Sequence, residues 1–100
     1  MGAVVAQIIW ATPALEALHS IREFVAQSSP VYADRLIDKL IARVDMLRQF
    51  PQAGRVVKEF GSGRYRELPE SGYRIVYRIE LNGDVGIVHI QHSSLPLTDL

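Results

Sequence analysis

The chain has 100 residues, with 11 Lys and Arg against 11 Asp and Glu, three His and no Cys. This length fits a single domain over residues 1–100, and 48% hydrophobic residues argue against disorder. The lack of cysteine excludes disulfides, thiolate metal sites and cysteine nucleophiles. No apolar run approaches the roughly 20 residues that span a bilayer, and the first residues lack the basic region of a signal peptide. We therefore expect a cytoplasmic protein without a membrane partner.

The zero net charge is the sum of three unlike segments. Residues 1–50 hold five basic and five acidic side chains. Residues 51–78 hold six basic against three acidic side chains, and five of the six are arginine, whose planar fork suits phosphate or carboxylate. Residues 79–100 hold three acidic side chains and neither Lys nor Arg. The segment 51–78 is therefore expected to form any surface that binds an anionic partner.

The first half of the chain predicts a strand followed by two helices. Val4–Trp10 is short, β-branched and ends in an aromatic residue, which is typical of a buried strand. Thr12-Pro13 supplies a threonine N-cap and a proline at the first helical position, and an apolar stripe continues to about Gln27. Ser28-Ser29-Pro30 repeats the start signal, and Phe50-Pro51 closes the second helix. Because the connection is so short, the helices are expected to form an antiparallel hairpin.

The second half predicts an antiparallel sheet, because the hydrophobic period changes from near 3.6 to 2 after Gly54. The predicted strands are Arg64–Pro69, Tyr73–Leu81 and Val85–Gln91, with turns at Ser71-Gly72 and Asn82-Gly83. Helices and strands that are segregated along the chain indicate an α+β fold. We expect an N-terminal strand, an antiparallel helical hairpin and a C-terminal antiparallel β-sheet of about three strands. The hairpin would cover one face of this sheet and leave the other open.

Alternation along the central strand predicts which side chains line each face. The set expected under the helices is Tyr73, Ile75, Tyr77 and Ile79, and the set expected on the open face is Arg74, Val76, Arg78 and Glu80. The two arginines would lie roughly 7 Å apart. The faces of the last strand depend on a register that the sequence leaves open.

Three segments carry a family resemblance that covers nearly the whole chain. They are ATPALEALHSIREFVAQSSPVYADRLIDKLIARVDMLRQFPQAGR, RYRELPESGYRIVYRI and VGIVHIQHSS. In order and spacing they resemble the strand, helical hairpin and sheet of the ParE/RelE superfamily of bacterial type II toxin–antitoxin toxins. The resemblance implies a small toxin of the plasmid-stabilisation type, held silent by a cognate antitoxin that wraps around the hairpin and sheet.

The resemblance implies one of two activities. RelE-like members cut mRNA in the ribosome without a metal, using basic and acid–base side chains on the open sheet face. ParE-like members have a similar shape and poison DNA gyrase by binding. In a ribonuclease the catalytic residues here would be Arg74, Arg78 and His92. Arg74 matches the arginine that contacts the scissile phosphate, and His92, whose ordinary pKa is near 6.5, would be the acid or base.

Two of the roles that the ribonuclease branch requires are vacant. The strand before SGYR carries catalytic lysines in that branch, whereas this chain has Tyr65-Arg66-Glu67. Beyond the last strand that branch has an arginine and often a tyrosine, whereas Ser93–Leu100 has no basic or aromatic residue. The comparison favours a ParE-like binding toxin directed at DNA gyrase. The alternatives are a RelE-like endoribonuclease acting on ribosome-bound mRNA and a degenerate, non-toxic member that only binds antitoxin.

A binding toxin would use a different set of contact residues, namely Arg64, Arg66, Glu67 and Leu95. Structural interpretations stand beside these roles: Arg74 and Arg78 could pair across strands with Glu67 or Glu80, and Arg66 could pair with Glu67. An acidic antitoxin tail could bind the arginines of segment 51–78. We expect neither a cofactor nor a metal, since the histidines lack the spacing of zinc ligands.

Overall fold

A strand, a helical hairpin and an antiparallel sheet follow one another along the chain, as predicted. The computed structural model describes residues 5–98. The elements are β1 (Ile8–Trp10), α1 (Thr12–Ala26), α2 (Pro30–Asp45), β2 (Arg55–Val56), β3 (Tyr65–Glu70), β4 (Tyr73–Ile79) and β5 (Val85–His92). Among residues 5–98, neither helix is long and apolar enough to cross a membrane. β1 is shorter than the predicted Val4–Trp10 strand, and Val4 lies outside the described residues.

The two helices begin in different ways. Ser29 caps α2 as predicted, because its hydroxyl accepts a hydrogen bond from the Tyr32 N–H at 3.1 Å. The prediction of Thr12 as the N-cap of α1 is wrong, because Thr12 is already helical and Ala11 holds the cap position without a side-chain bond. The Ala11 N–H donates to the Ile87 carbonyl at 2.9 Å. Sheet pairing therefore continues to the residue directly before the helix and fixes where α1 begins.

The five strands within residues 5–98 form one sheet in the order β1-β5-β4-β3-β2. β1 pairs with β5 in parallel, and the other pairs are antiparallel. The predicted set of three C-terminal strands therefore gains one neighbour at each edge. β1 joins beyond β5, and the two residues of β2 join beyond β3, which brings the basic segment before β3 onto the sheet.

The helical hairpin packs on one face of this sheet and forms the main core. Leu36, Leu40 and Val44 of α2 lie in one buried cluster with Ile75 and Tyr77 of β4. The predicted alternation along β4 is therefore confirmed for the helix-covered face. Each fully buried aliphatic side chain of this kind contributes about 1.5–3 kcal/mol by removing apolar surface from water.

The opposite sheet face, which we expected to be open, is partly covered. Val57, Val76 and Leu97 form a second buried cluster, with Phe60 and Tyr65 packed against it. Val76 points away from the helices, so residues 57–64 and 93–98 lie over this second face. We call these two segments together the cover. The expectation failed because segments without hydrophobic periodicity supply the apolar residues, Val57 and Leu97.

The core assignment predicts a sharp contrast between two adjacent residues of α2. Leu40 is 0% exposed and Ile41 is 45% exposed. We expect Leu40→Ala to lower the free energy of unfolding by roughly 2–5 kcal/mol, because it leaves a cavity between α2 and the sheet. The matched control Ile41→Ala is expected to change it by about 0.5 kcal/mol or less. Urea unfolding followed by circular dichroism measures both, and equal losses would contradict the assignment.

Candidate functional site

The pairing of β4 with β5 decides which of the predicted site residues share a face. In an antiparallel pair, directly opposed residues point to the same side of the sheet. Arg74 is opposed to Gln91, and Tyr73 is opposed to His92. Tyr73 belongs to the helix-covered face, and its ring makes an edge contact with the His92 ring at 5.5 Å between centroids. His92 and Arg74 therefore lie on opposite faces of the sheet.

A bulge in β5 explains why alternation alone could not assign that strand. Tyr77 is opposed to Ile87, but Val76 is opposed to His89, so Val88 is an extra residue. The insertion puts Ile87 on the helix-covered face and His89 on the cover side. The His89 Nε2 atom lies 3.2 Å from the Gln91 side-chain oxygen.

Arg74 is the centre of an ion-pair cluster beneath the cover. Its Nε and Nη2 atoms donate to the two oxygens of Glu67 at 2.8 and 3.0 Å. Its Nη1 and Nη2 atoms donate to the two oxygens of Glu59 at 2.8 and 2.9 Å. Nη1 also donates to the Leu95 carbonyl at 3.3 Å. Since a guanidinium has five N–H groups, these five bonds use all of them.

Burial strengthens this cluster. The side chains of Arg74, Glu67 and Glu59 are 11%, 5% and 30% exposed. The hydrogen bonds from Arg74, together with the Leu97 backbone N–H, lower the pKa of Glu59 to about 2. The same bonds to Glu59 and then to Glu67 raise the pKa of Arg74. Glu59 and Arg74 are therefore charged at neutral pH, and the bidentate bonds to Glu67 complete the cluster.

Glu59 also joins the two segments of the cover. It accepts a hydrogen bond from the Leu97 N–H at 3.2 Å. The neighbouring Leu95 carbonyl accepts a second tail contact, from the Gln91 side-chain amide at 2.8 Å. Leu97 itself is 5% exposed. The tail is thus held by polar bonds on one side and by the Val57–Val76–Leu97 cluster on the other.

Comparisons with known proteins fit this fold. Residues 8–95 match the family described as the ParE toxin of the type II toxin–antitoxin system, parDE. The chain belongs to this family. It is 32% identical over 89 residues to Toxin RelE2 of Caulobacter vibrioides, an alignment that covers 89% of this chain and 97% of that protein.

Two solved structures from toxin–antitoxin systems share the fold. One is from the chromosomal ParDE system of P. aeruginosa, with a TM-score of 0.75, 19% identity, and coverage of 90% of this chain and 98% of that one. The other is from the toxin–antitoxin complex RelBE2 of Mycobacterium tuberculosis, with a TM-score of 0.61, 18% identity, and coverage of 89% and 99%.

The other predicted arginines of this ParE-family chain are dispersed. Arg78 pairs with Glu80 at 3.2 Å, and the Tyr65 side chain and then Glu80 raise the pKa of Arg78. Arg66 is opposed to Tyr77 and so lies on the other face from Glu67; its Nη1 donates to the Gly54 carbonyl at 2.8 Å, and the expected pair with Glu67 does not form. Arg64 is exposed, with its guanidinium carbon 6.0 Å from the centre of the Tyr65 ring.

A groove at the edge of the sheet, between α1 and the end of β5, is lined by His92 and Leu95. It has a volume of about 410 Å³ and runs between α1 and β5, with Phe24 and Tyr73 also in its wall. None of its lining residues, all within residues 5–98, is Asp, Glu, Lys or Arg. Phe24 is 71% and Leu95 53% exposed, so the groove presents large apolar side chains to solvent beside the polar Ser20, His89, Gln91 and His92.

Glu59 is the site residue that sequence reasoning missed. Its partner Arg74 lies 15 residues further along the chain, and its other partner, Leu97, lies 38 residues further. In the sequence, Glu59 is a single acidic residue directly after Lys58 in a basic segment. No local pattern distinguishes such a residue from a solvated surface charge. Among residues 5–98, no three His, Asp or Glu side chains converge to hold a metal ion.

The depressed pKa of Glu59 predicts how acid affects stability. Its folded-state pKa of about 2 is below the ordinary 4.5. Its pairing therefore stabilises the fold fully above pH 4.5 and is lost as the pH falls through 2. We expect wild type to melt at a higher temperature than Glu59→Gln at pH 6 and the difference to vanish near pH 2. The control Glu23→Gln, on an exposed part of α1, is expected to show no such convergence. A constant gap between wild type and Glu59→Gln across this pH range would contradict the assigned pairing.

Proposed function

We propose that this chain is a ParE-like toxin that binds and poisons DNA gyrase and that a cognate antitoxin neutralises it. The engagement of all five N–H donors of Arg74 carries this proposal. An arginine that stabilises a phosphorane must offer donors to the reacting phosphate. Here those donors belong to Glu67, Glu59 and Leu95, so Arg74 serves the fold and leaves binding as the better-supported activity.

The position of His92 supports the same proposal. General acid–base catalysis contributes about 10²–10⁴-fold only when the acid or base reaches the reacting atom by a hydrogen bond or through one water. His92 is on the helix side of the sheet, beside Tyr73, whereas Arg74 and Arg78 are on the cover side. A single RNA phosphate could not contact Arg74 and His92 together in this arrangement.

The groove between α1 and β5 is the surface that we propose for gyrase. Interfaces are enriched in aromatic residues at their centres and depleted in charge there, and the groove has Phe24, Tyr73 and Leu95 with no charged side chain. Leu95 is exposed in this groove and would contact the target directly, whereas Arg64 is exposed in the cover, outside the groove. Arg66 and Glu67 would not contact the target. Arg66 would position Gly54, and Glu67 would position Arg74.

The same groove accounts for neutralisation. Structural relatives of this chain come from ParDE and RelBE systems, and one of them is titled as a toxin–antitoxin complex. We propose that the cognate antitoxin lays an apolar segment along the groove and thereby excludes gyrase. One surface would then bind either partner but not both, and the antitoxin would need only to compete for it.

Two assays on the purified chain test the proposed activity. We expect inhibition of gyrase-catalysed supercoiling and no cuts in mRNA in a translating extract. Because His92 lines the groove, His92→Ala tests proton transfer only through mRNA, and we expect the variant to leave mRNA uncut as wild type does. Codon-phased mRNA cuts with unaffected supercoiling would reverse the proposal, and loss of those cuts in His92→Ala would restore the catalytic role. Normal supercoiling, uncut mRNA and normal growth of cells expressing the chain alone would indicate a degenerate member.

The groove is tested by a pair of substitutions on α1. Phe24→Ser removes the most exposed aromatic side chain of the groove, whereas Leu15→Ser removes an apolar side chain that is 49% exposed elsewhere on the same helix. We expect Phe24→Ser to weaken gyrase and antitoxin binding at least about tenfold, as for an aromatic interface residue. Leu15→Ser is expected to leave both unchanged. Loss of only one of the two interactions in Phe24→Ser would contradict a shared surface.

A further inference from the structure

The Arg74 guanidinium meets its two carboxylates at different edges. Glu67 binds the edge formed by Nε and Nη2, and Glu59 binds the edge formed by Nη1 and Nη2. The Glu59 pair is expected to open more readily than the Glu67 pair. Glu67 lies within β3 and is 5% exposed, whereas Glu59 lies in the loop of the cover and is 30% exposed. The outer edge of Arg74 is therefore a carboxylate-binding fork whose present occupant belongs to a loop.

Further cations stand at the entrance to this fork. A cavity of about 240 Å³ adjoins the cluster, and its wall includes Arg55, Lys58 and Ser93. The side chain of Arg55 is 69% exposed, with its guanidinium 3.8 Å from Glu67. Arg55, Lys58 and Arg74 together face Glu59 and Glu67, so the cluster has one more positive than negative charge. An approaching anion thus meets a positively charged rim before it reaches Arg74.

We infer that Glu59 is an internal occupant of a carboxylate site and that an acidic side chain of a partner protein can replace it and release the cover. The antitoxin of the proposed function is one such partner, and the inference rests on that function only for the partner's identity. The exchange makes and breaks hydrogen bonds alone. The incoming carboxylate takes the Nη1 and Nη2 donors, and Glu59 moves into water.

A carboxylate suits this fork better than a nucleic-acid strand does. Replacing Glu59 by another carboxylate keeps the bidentate geometry and leaves the charge of the cluster unchanged. A nucleic acid would bring a row of phosphates toward Glu67, which is buried in β3 and remains beside Arg74 after the exchange. Two rim cations are few against such a row, since nucleic-acid affinity grows with the number of phosphates neutralised.

Release of Glu59 would free both segments of the cover. The Leu97 N–H would lose its acceptor, and the loop would lose its bond to β4. The Val57–Val76–Leu97 cluster and the Gln91 bond to the Leu95 carbonyl would then be the contacts that still hold the tail. Partner binding at Arg74 would in this way expose apolar surface of the sheet that is covered in the free protein.

The test uses the full chain and a fluorescently labelled hexaglutamate peptide, with binding followed by anisotropy at physiological ionic strength. Glu59→Gln keeps the shape of the side chain but removes its charge, so the internal competitor is weakened. We expect Glu59→Gln to bind hexaglutamate at least about tenfold more tightly than wild type, the scale of one charge-assisted hydrogen bond. Glu23→Gln, which removes the same charge from α1, is expected to bind as wild type does.

Further measurements make the inference falsifiable. Saturating hexaglutamate is expected to speed hydrogen exchange of the Leu97 amide in wild type. Adding Lys58→Gln to the Glu59→Gln variant is expected to weaken its binding of hexaglutamate several-fold without affecting folding. Equal hexaglutamate affinity of wild type and Glu59→Gln would overturn the inference. So would an unchanged rate of hydrogen exchange at the Leu97 amide. A six-nucleotide thymidine strand whose affinity rises as much as that of hexaglutamate in Glu59→Gln would also overturn it. None of these readouts involves gyrase, so a failure here is distinguishable from a failure of the proposed function.

Discussion

The ion-pair cluster at Arg74 is the interaction on which the cover side of the molecule depends. An unpaired charge that is shielded from water strongly destabilises a fold. Removing one partner of a buried ion pair therefore lowers the stability of the protein far more than replacing both partners does. Arg74 avoids that cost because each of its N–H groups has an acceptor. The acceptors come from β3, the loop and the tail, so one side chain of β4 fixes three other parts of the chain.

A second polar contact fixes the opposite side of the same strand. The Tyr77 hydroxyl donates to the Pro51 carbonyl at 2.7 Å and accepts from the Gly54 N–H at 2.8 Å. A Cβ at Gly54 would lie 2.6 Å from that hydroxyl, so only glycine allows the chain to pass this close. Arg66 completes the arrangement by donating to the Gly54 carbonyl. Arg74 and Tyr77, three positions apart on β4, thus face opposite ways, and the strand organises both the entry into the sheet and the cover.

The features that follow from local periodicity were predictable, and those that depend on distant partners were not. The alternation of β4 identified Ile75 and Tyr77 as core residues, because the strand period is two whatever the strand pairs with. The start of α1 was misplaced because a hydrogen bond to Ile87, far along the chain, keeps Ala11 in the sheet. The face of His92 required the register and bulge of β5. Glu59 was missed because neither of its partners is near it in sequence.

A single residue type illustrates how one fold can support either a catalyst or a binding protein. In the stretch Tyr65-Arg66-Glu67, where the resemblance implies catalytic lysines in the ribonuclease branch, this chain has at position 67 a buried glutamate whose two oxygens face Arg74. A lysine there would repel Arg74 and leave its donors to an incoming phosphate, whereas the glutamate attracts them. Glu59 then satisfies the remaining edge and brings the tail with it. Glu67, Glu59 and the Leu95 carbonyl together leave no N–H group of Arg74 without an acceptor, and this pairing holds the loop and the tail against the sheet.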